Sequence, residues 1–434
     1  MKRAQPFCLL LPFVFLYTAL FAKPLYIPVA SLEKPSLLKV AFQKSSSAFK
    51  RNYTDLLQKI ILNDLNHIGD FSAEELPYFS RQNLNTKRKN GYEIQVTIAQ
   101  KQIELRISQH KKRSLALRPL PMTGEIAQDR KNIHRFLHAF GKKILGVDSI
   151  LNTTILYANR VKKRGKWISE IWRSDYDGQN AQKITHLEDY ATHPQFLPNQ
   201  KDFVFVSYQE GVPKIMEFLW DTKHVRKKIF LRGSQALPAI SADGKNLAFV
   251  SDAAGRPDLF FLSLDNQSAY NKPRQLFSKP GATQASSCFS PDGKKLAFVS
   301  DWNGSPKIYL LDLPKMLRFS TPKITLITQK KRQNTSPSWS PDGRKLAYSA
   351  KTEGIRQIWV YDFETKQETQ VTFGKKHLEN PKWAKDSKHI VCNSDMLQGA
   401  EIYLMHVDKK TIQQISNGVG YKKFPSPELT RVHL

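Results

Sequence analysis

Three copies of one phrase constrain this chain more than anything else in it. Ser241-Ala242-Asp243-Gly244 leads into Leu247-Ala248-Phe249-Val250-Ser251. Ser290-Pro291-Asp292-Gly293 leads into Leu296-Ala297-Phe298-Val299-Ser300, and Ser340-Pro341-Asp342-Gly343 into Leu346-Ala347-Tyr348-Ser349. The turn glycines lie 49 residues (244 to 293) and 50 residues (293 to 343) apart. A strand-rich repeat of that period builds a propeller or a solenoid. Weaker copies, with Gln200 and Ser387 in the glycine's place, extend the repeat in both directions.

Each repeat reads as four strands. The first carries Pro-x-aromatic, as in Pro194-x-Phe196, Pro337-x-Trp339 and Pro381-x-Trp383; Ile240 and Phe289 stand in the aromatic's place elsewhere. The turn follows, where proline presets φ and glycine accepts a positive φ. A polar hairpin such as Ser300 to Gly304 separates the second strand from the third. The third strand occurs six times, at Ile171, Ile215, Leu259, Ile308, Ile358 and Ile402. The first occurs only five times before the C-terminus, beginning near residues 194, 238, 287, 337 and 381. The missing copy is Phe424-Pro425-Ser426-Pro427-Glu428. A C-terminal strand that completes the N-terminal blade closes a six-bladed ring and removes exposed sheet edges.

Upstream of Gly146 the periodicity differs. Leu37 to Phe42 is a strand, and Leu57, Ile60, Ile61, Leu65 and Ile68 mark one face of a helix from Lys50 to Ile68. Tyr92, Ile94, Val96 and Ile98 alternate, as do Ile103, Leu105 and Ile107, giving two strands with a turn near Gln100. A second helix from about Asp129 to Leu145 places Ile133, Phe136, Leu137, Phe140 and Ile144 on one side. The expected architecture is an α/β N-terminal domain followed by an all-β six-bladed β-propeller closed by the C-terminal strand. The expected boundaries are 1–22, 23–148 and 149–434.

Residues 1–22 read as a secretory signal: Lys2 and Arg3 precede an uncharged apolar run from Phe7 to Ala22. Sixteen residues is short of the roughly 20 needed to span a bilayer, so cleavage near Ala22 is expected, with an uncleaved anchor as the alternative. Cys288 and Cys392 fall in different repeats, which argues against a disulfide and for small buried residues. The net charge is +29, and the basic clusters are Lys111-Lys112-Arg113, Lys162-Lys163-Arg164, Arg226-Lys227-Lys228, Lys330-Lys331-Arg332 and Lys422-Lys423. These read as solvated loops, or alternatively as attraction to an anionic envelope surface. They lack the interleaved aromatics of a single-strand track, and export also argues against nucleic acid.

Catalytic constellations do not emerge. No Gly-x-Ser-x-Gly elbow occurs, and the phosphate-binding glycine loops are missing. His134 and His138 sit four apart on a helix, but Arg135 stands where a zinc protease needs glutamate, so surface histidines are expected. Asp175 to Asn180 begins like a calcium loop without the downstream glutamate, and a tight hairpin is expected. Asp252 and Asp301 follow second strands, either lining a ligand site or serving strand-end turns. No catalytic residue, cofactor or metal site is expected.

The repeat phrase with Ser300-Asp301-x-x-Gly304-x-Pro306-x-Ile308-Tyr309 resembles the TolB family of periplasmic propellers. So do Ser174 to Asn180, Leu57 to Leu65 with Gly69-Asp70-Phe71, and Lys423 to Pro427. The resemblance implies a non-enzymatic periplasmic member of the Tol-Pal system, supporting envelope integrity and constriction at division, monomeric within a complex. It implies that a Pal-like lipoprotein binds loops preceding the first strands: Thr192 and His193, Ser234 and Gln235, Thr283 and Gln284, Thr335 and Ser336, Glu379 and Asn380. It also implies that a TolA-like inner-membrane protein takes the mature N-terminus, through Lys23, Leu25, Tyr26, Ile27, Val29 and Leu32. A propeller-based hydrolase or lyase and a polyanion-binding envelope module remain the alternatives.

Overall fold

The computed structural model describes residues 37–43, 50–76, 92–99, 101–109, 114–265, 272–313, 322–330 and 333–429. The expected signal, the Lys23 to Leu32 segment, the Gln100 turn and the Lys111-Lys112-Arg113 cluster lie outside them.

Alternation of apolar residues sets the N-terminal layer. Tyr92–Ala99 buries Tyr92, Ile94, Val96 and Ile98 on one face, and Gln102–Gln109 pairs with it antiparallel, adding Ile103, Leu105 and Ile107. Leu37–Gln43 lies parallel to both Tyr92–Ala99 and Ser72–Glu75. Helices Arg51–Asn66 and Ile126–Phe140 join the same core through Leu57, Ile61, Leu65, Ile133 and Leu137. Past Phe140 the helix widens into one π turn over Gly141–Leu145, and Gly146 ends it with φ 71°.

Six four-stranded antiparallel sheets follow, each from one repeat. The closing strand, Tyr421–Leu429, pairs with Thr153–Lys163 through Ser426↔Leu156 and Glu428↔Thr154, completing the blade that lacked an inner strand. The turn phrase closes by its own side chains. Gly293 N donates to Ser290 O at 2.9 Å, Lys295 N donates to Ser290 Oγ at 2.9 Å, and Ser290 Oγ donates to Asp292 Oδ1 at 2.6 Å. Gly293 has φ 69°, which explains the glycine. The serine and aspartate side chains thus close the turn itself.

The inner strands begin about three residues earlier than expected: Ala191–Phe196, Gln235–Ile240, Gln284–Phe289, Thr335–Trp339 and Leu378–Trp383. Each carries a bulge, as between Thr192 and Gln195 or between Glu379 and Lys382. The prolines sit at these bulges, where no ladder N–H is required, so the strand continues across the proline.

The N-terminal layer docks on blades one and six through polar groups, buried at blade one and partly exposed at blade six. Asp64 Oδ2 meets His134 Nδ1 at 2.6 Å, and Tyr176 of the first-blade hairpin donates to Asp64 Oδ1 at 2.6 Å. Arg130 pairs with Asp177 at 2.5 Å, and His134 Nε2 lies 3.6 Å from the same carboxylate. On the sixth blade Lys388 pairs with Asp70 at 2.8 Å, Lys409 donates to Asn66 O at 2.9 Å, and His406 Nε2 lies 2.9 Å from Gly69 O. His134 is thus buried, contrary to the surface position expected from its helix. Its partners lie far away in sequence, and burial beside two carboxylates replaces solvation by ion pairing.

Candidate functional site: the two ends of the ring

Antiparallel order places the second-to-third-strand hairpins and the loops entering each inner strand on one face. The Pro-Asp-Gly turns and the third-to-fourth-strand hairpins occupy the other, where the N-terminal layer docks. Among the described residues, eleven large apolar side chains are exposed, and nine of them gather on the first face. Trp167, Tyr208, Val212, Trp302, Met396 and Leu397 sit at its hairpins; Phe230, Phe373 and Val419 sit in the loops entering inner strands. Leu397 is 99% exposed, Val419 85% and Phe230 83%, so these are not grazing contacts. Exposed apolar groups concentrated on one rim make it a candidate protein-binding surface.

Basic groups on the same rim extend the surface. Arg160 lies 4.7 Å from the ring centroids of both Trp167 and Tyr421, forming a cation–aromatic stack at the first blade. Two of the basic clusters, Arg226 to Lys228 and Lys422-Lys423, are already paired. Arg226 and Lys228 both reach Glu217, at 2.8 Å each. Lys422 and Lys423 lie on the closing strand and not in a loop, bonded to Glu401 at 3.0 Å and Asp395 at 2.7 Å.

Below this rim the bulges form a waist. The residue before each proline points inward: His193, Leu237, Ser336, Asn380 and Phe424, with Ser286 as the equivalent in the remaining blade. Five of these have positive φ, between 49° and 57°. His193 stacks on Phe424 with centroids 3.8 Å apart, Ser336 Oγ donates to Asn380 Oδ1 at 2.8 Å, and Asn380 Nδ2 donates to Asn393 at 2.9 Å. The cavity they enclose is about 50 Å³, room for little more than water. Burial, with Lys382 nearby, pushes the His193 pKa down to about 3, so its imidazole is neutral.

The expected partner residues divide accordingly. Thr192, His193, Gln235, Gln284, Thr335, Ser336, Glu379 and Asn380 stand on the inner strands themselves; only Ser234 and Thr283 lie in loops. The structure brings His193, Ser336 and Asn380 together at the waist. It sets Gln235 and Gln284 inside their blades: Gln235 Nε2 donates to Leu231 O at 2.6 Å, and Gln284 accepts from Ser300 Oγ at 3.2 Å. Glu379 is taken by Arg356 at 3.0 Å. The inward equivalents in those blades, Leu237 and Ser286, escaped sequence reasoning, as did Phe424. The residue immediately before proline was the available signal for Leu237 and Phe424; Ser286 precedes Ser287 and carried none.

Asp252 and Asp301 accept from Ser234 N at 2.6 Å and Thr283 N at 2.7 Å, tying down entering loops. They act as loop caps on the apolar face. Asp175 to Asn180 forms a tight turn, with Gly178 N donating to Asp175 O at 2.9 Å.

On the turn side of the waist the channel widens into a cavity of about 610 Å³. Its walls include Trp339, Trp383, Phe289 and Lys382.

A family model described as the TolB beta propeller domain matches residues 141–317 and 315–430. A protein TolB homolog of Protochlamydia amoebophila is 41% identical over 273 residues, 60% of this chain and 58% of that protein. Another, from Chlamydia pneumoniae, is 32% identical over 334 residues, covering 75% of this chain and 76% of that protein. Matched stretches of further Chlamydia homologs span as little as 40% of their length. Among solved structures, TolB from Acinetobacter baumannii superposes with a TM-score of 0.71 at 18% identity, over 91% of this chain and 97% of that one. That likeness is one of fold.

Proposed function

The chain belongs to the TolB family, and on that premise we propose that it is a non-enzymatic periplasmic scaffold of a Tol-Pal system. In this reading residues 1–22 are an export signal, 23–148 an N-terminal domain and 149–434 the propeller. The apolar face takes a Pal-like lipoprotein, and the mature N-terminus takes a TolA-like inner-membrane protein. The assembly supports envelope integrity and outer-membrane constriction during division. Among the described residues no helix is long and apolar enough to cross a membrane.

One observation carries the reading: exposed apolar side chains crowd one face of the ring while the opposite face holds the N-terminal layer. A partner that covers Leu397, Val419 and Phe230 removes apolar surface worth about 25 cal/mol per Å² from water. The waist below them supplies polar groups at the centre, His193, Ser336 and Asn380.

Calorimetric titration with the soluble domain of the peptidoglycan-associated lipoprotein from the same cell tests this. The intact protein should bind, and Leu397→Asp with Val419→Asp should weaken binding at least about tenfold, since a rim charge is left against an apolar partner. Removal of residues 23–32 should abolish capture of the inner-membrane partner while the lipoprotein still binds. Absence of any lipoprotein binding by the intact protein would falsify the proposal.

A further inference from the structure

We propose that the wide, turn-side half of the channel is a binding site for a small organic anion, a carboxylate or phosphate monoester with an apolar body, held by Lys382. This goes beyond the partner-binding reading and concerns the opposite end of the ring.

Two residues beyond each inner-strand bulge, every blade sends one side chain to the cavity: Gln195, Ala239, Cys288, Ser338, Lys382 and Ser426. Five are uncharged and the sixth is a lysine. Lys382 lines both the waist and the wide cavity, and so stands where the two meet. Among the described residues no carboxylate pairs with it, and Cys288 is the titratable group that acts on it. The one acid on the cavity wall, Glu428, faces Lys385 at 3.4 Å and is already matched. Neighbouring titratable groups add no negative charge. Burial pushes the Cys288 thiol up to about 12, and His193 is neutral as described. Glu428 and Lys385 offset each other, which leaves Lys382 as the unmatched charge of the wall.

A charge in such a place is costly unless something pairs with it, and a lysine packed without an acid is a poor stability device. Burial lowers the Lys382 pKa, the direction expected for an ammonium without a counter-charge. Ser287 Oγ, also on the wall of both cavities, is buried with no hydrogen-bond partner and supplies a second donor. Around these donors the walls are aromatic, through Trp339, Trp383 and Phe289. A volume of about 610 Å³ falls among ordinary small-molecule sites. The narrow waist blocks entry from the apolar face, so the ligand arrives between the Pro-Asp-Gly turns.

The test is calorimetric titration of the full chain with phenyl phosphate, phenylacetate and neutral benzyl alcohol at pH 7, repeated on Lys382→Met. At least one anion should saturate the native protein, and Lys382→Met should weaken it by about tenfold or more, the worth of a charge-assisted contact. Saturation by phenylacetate alone, phenyl phosphate alone or both identifies the head group, and each supports the site. Thermal unfolding should show Lys382→Met melting no lower than the native protein, so loss of binding is not loss of fold. The titration contains no lipoprotein, so its outcome is independent of the partner-binding reading. Equal anion affinity in both proteins, no saturation of either anion, or benzyl alcohol binding as well as the anions would overturn the proposal.

Discussion

The junction beneath blades one and six and the channel through the ring both bury charge, with opposite bookkeeping. At the junction Asp64 and Asp177 face His134 and Arg130, two negative groups against two positive, with Tyr176 and Asn63 completing the hydrogen bonds. Burial opposes the charge on His134, but Asp64 and Asp177 more than offset it and push its pKa up to about 10. In the channel Lys382 has aromatic walls and no acid paired with it, since Glu428 on the same wall faces Lys385. A balanced set of buried charges fixes the geometry of two packed layers. An unbalanced one leaves a field directed at whatever enters.

The sharpest way to break the contrast is to unbalance the junction. Asp64→Asn should cost about 3 kcal/mol of stability, because a buried positive group loses its partner. Urea unfolding measures this; a loss no larger than that of a surface substitution would mean that the junction charges are solvated.

Next in size is the pH dependence of the junction. The raised His134 pKa means that its contribution is complete below about 6.5 and is lost as pH rises toward 10. His67 and His406 act at the other end. Burial, reinforced by His389, pushes them down to about 3 and about 4, so their neutral forms stabilise the fold above about 6.5 and that stability is lost on acidification. Melting temperature should therefore peak near neutrality, and the change from pH 6.5 to 9 should be on the order of 2 kcal/mol. His134→Gln should flatten the alkaline limb alone.

Neutralising the channel should act in the reverse sense. Lys382→Met is expected to raise stability by about 1 kcal/mol, since it removes a buried charge without orphaning another. A melting point below the native value would show that the lysine has a structural partner. The smallest effect belongs to exposed pairs such as Lys201–Asp221, 3.4 Å apart on a blade edge. Lys201→Ala should change stability by less than about 0.5 kcal/mol, and that little should vanish in high salt.

Much of the ring was legible because its determinants are local. Proline and glycine at fixed turn positions, alternating apolar strands and a constant period announce a blade without reference to the rest of the chain. The start of each inner strand was not legible, since a bulge at Thr192 to Gln195 interrupts the alternation that marks a strand. The same bulge hid which residue faces the channel. In two blades the expected pair fell on Gln235 and Gln284, whose side chains bond within the ring, while Leu237 and Ser286 face inward. His134 looked like a surface residue because Asp64, 70 positions away, gives it a reason to be buried.

The sequence by itself determined the repeat, the blade count, the closing strand and the apolar faces of both helices. Each follows from residue types spaced within one turn or one strand. Only the tertiary structure decided that the exposed apolar groups share one rim, that His134 joins two layers, and that Lys382 stands without a paired acid in a wide channel. Those are facts about neighbours. A side chain's charge is written in the sequence, but the groups that solvate, pair or isolate it are chosen by the closure of the ring.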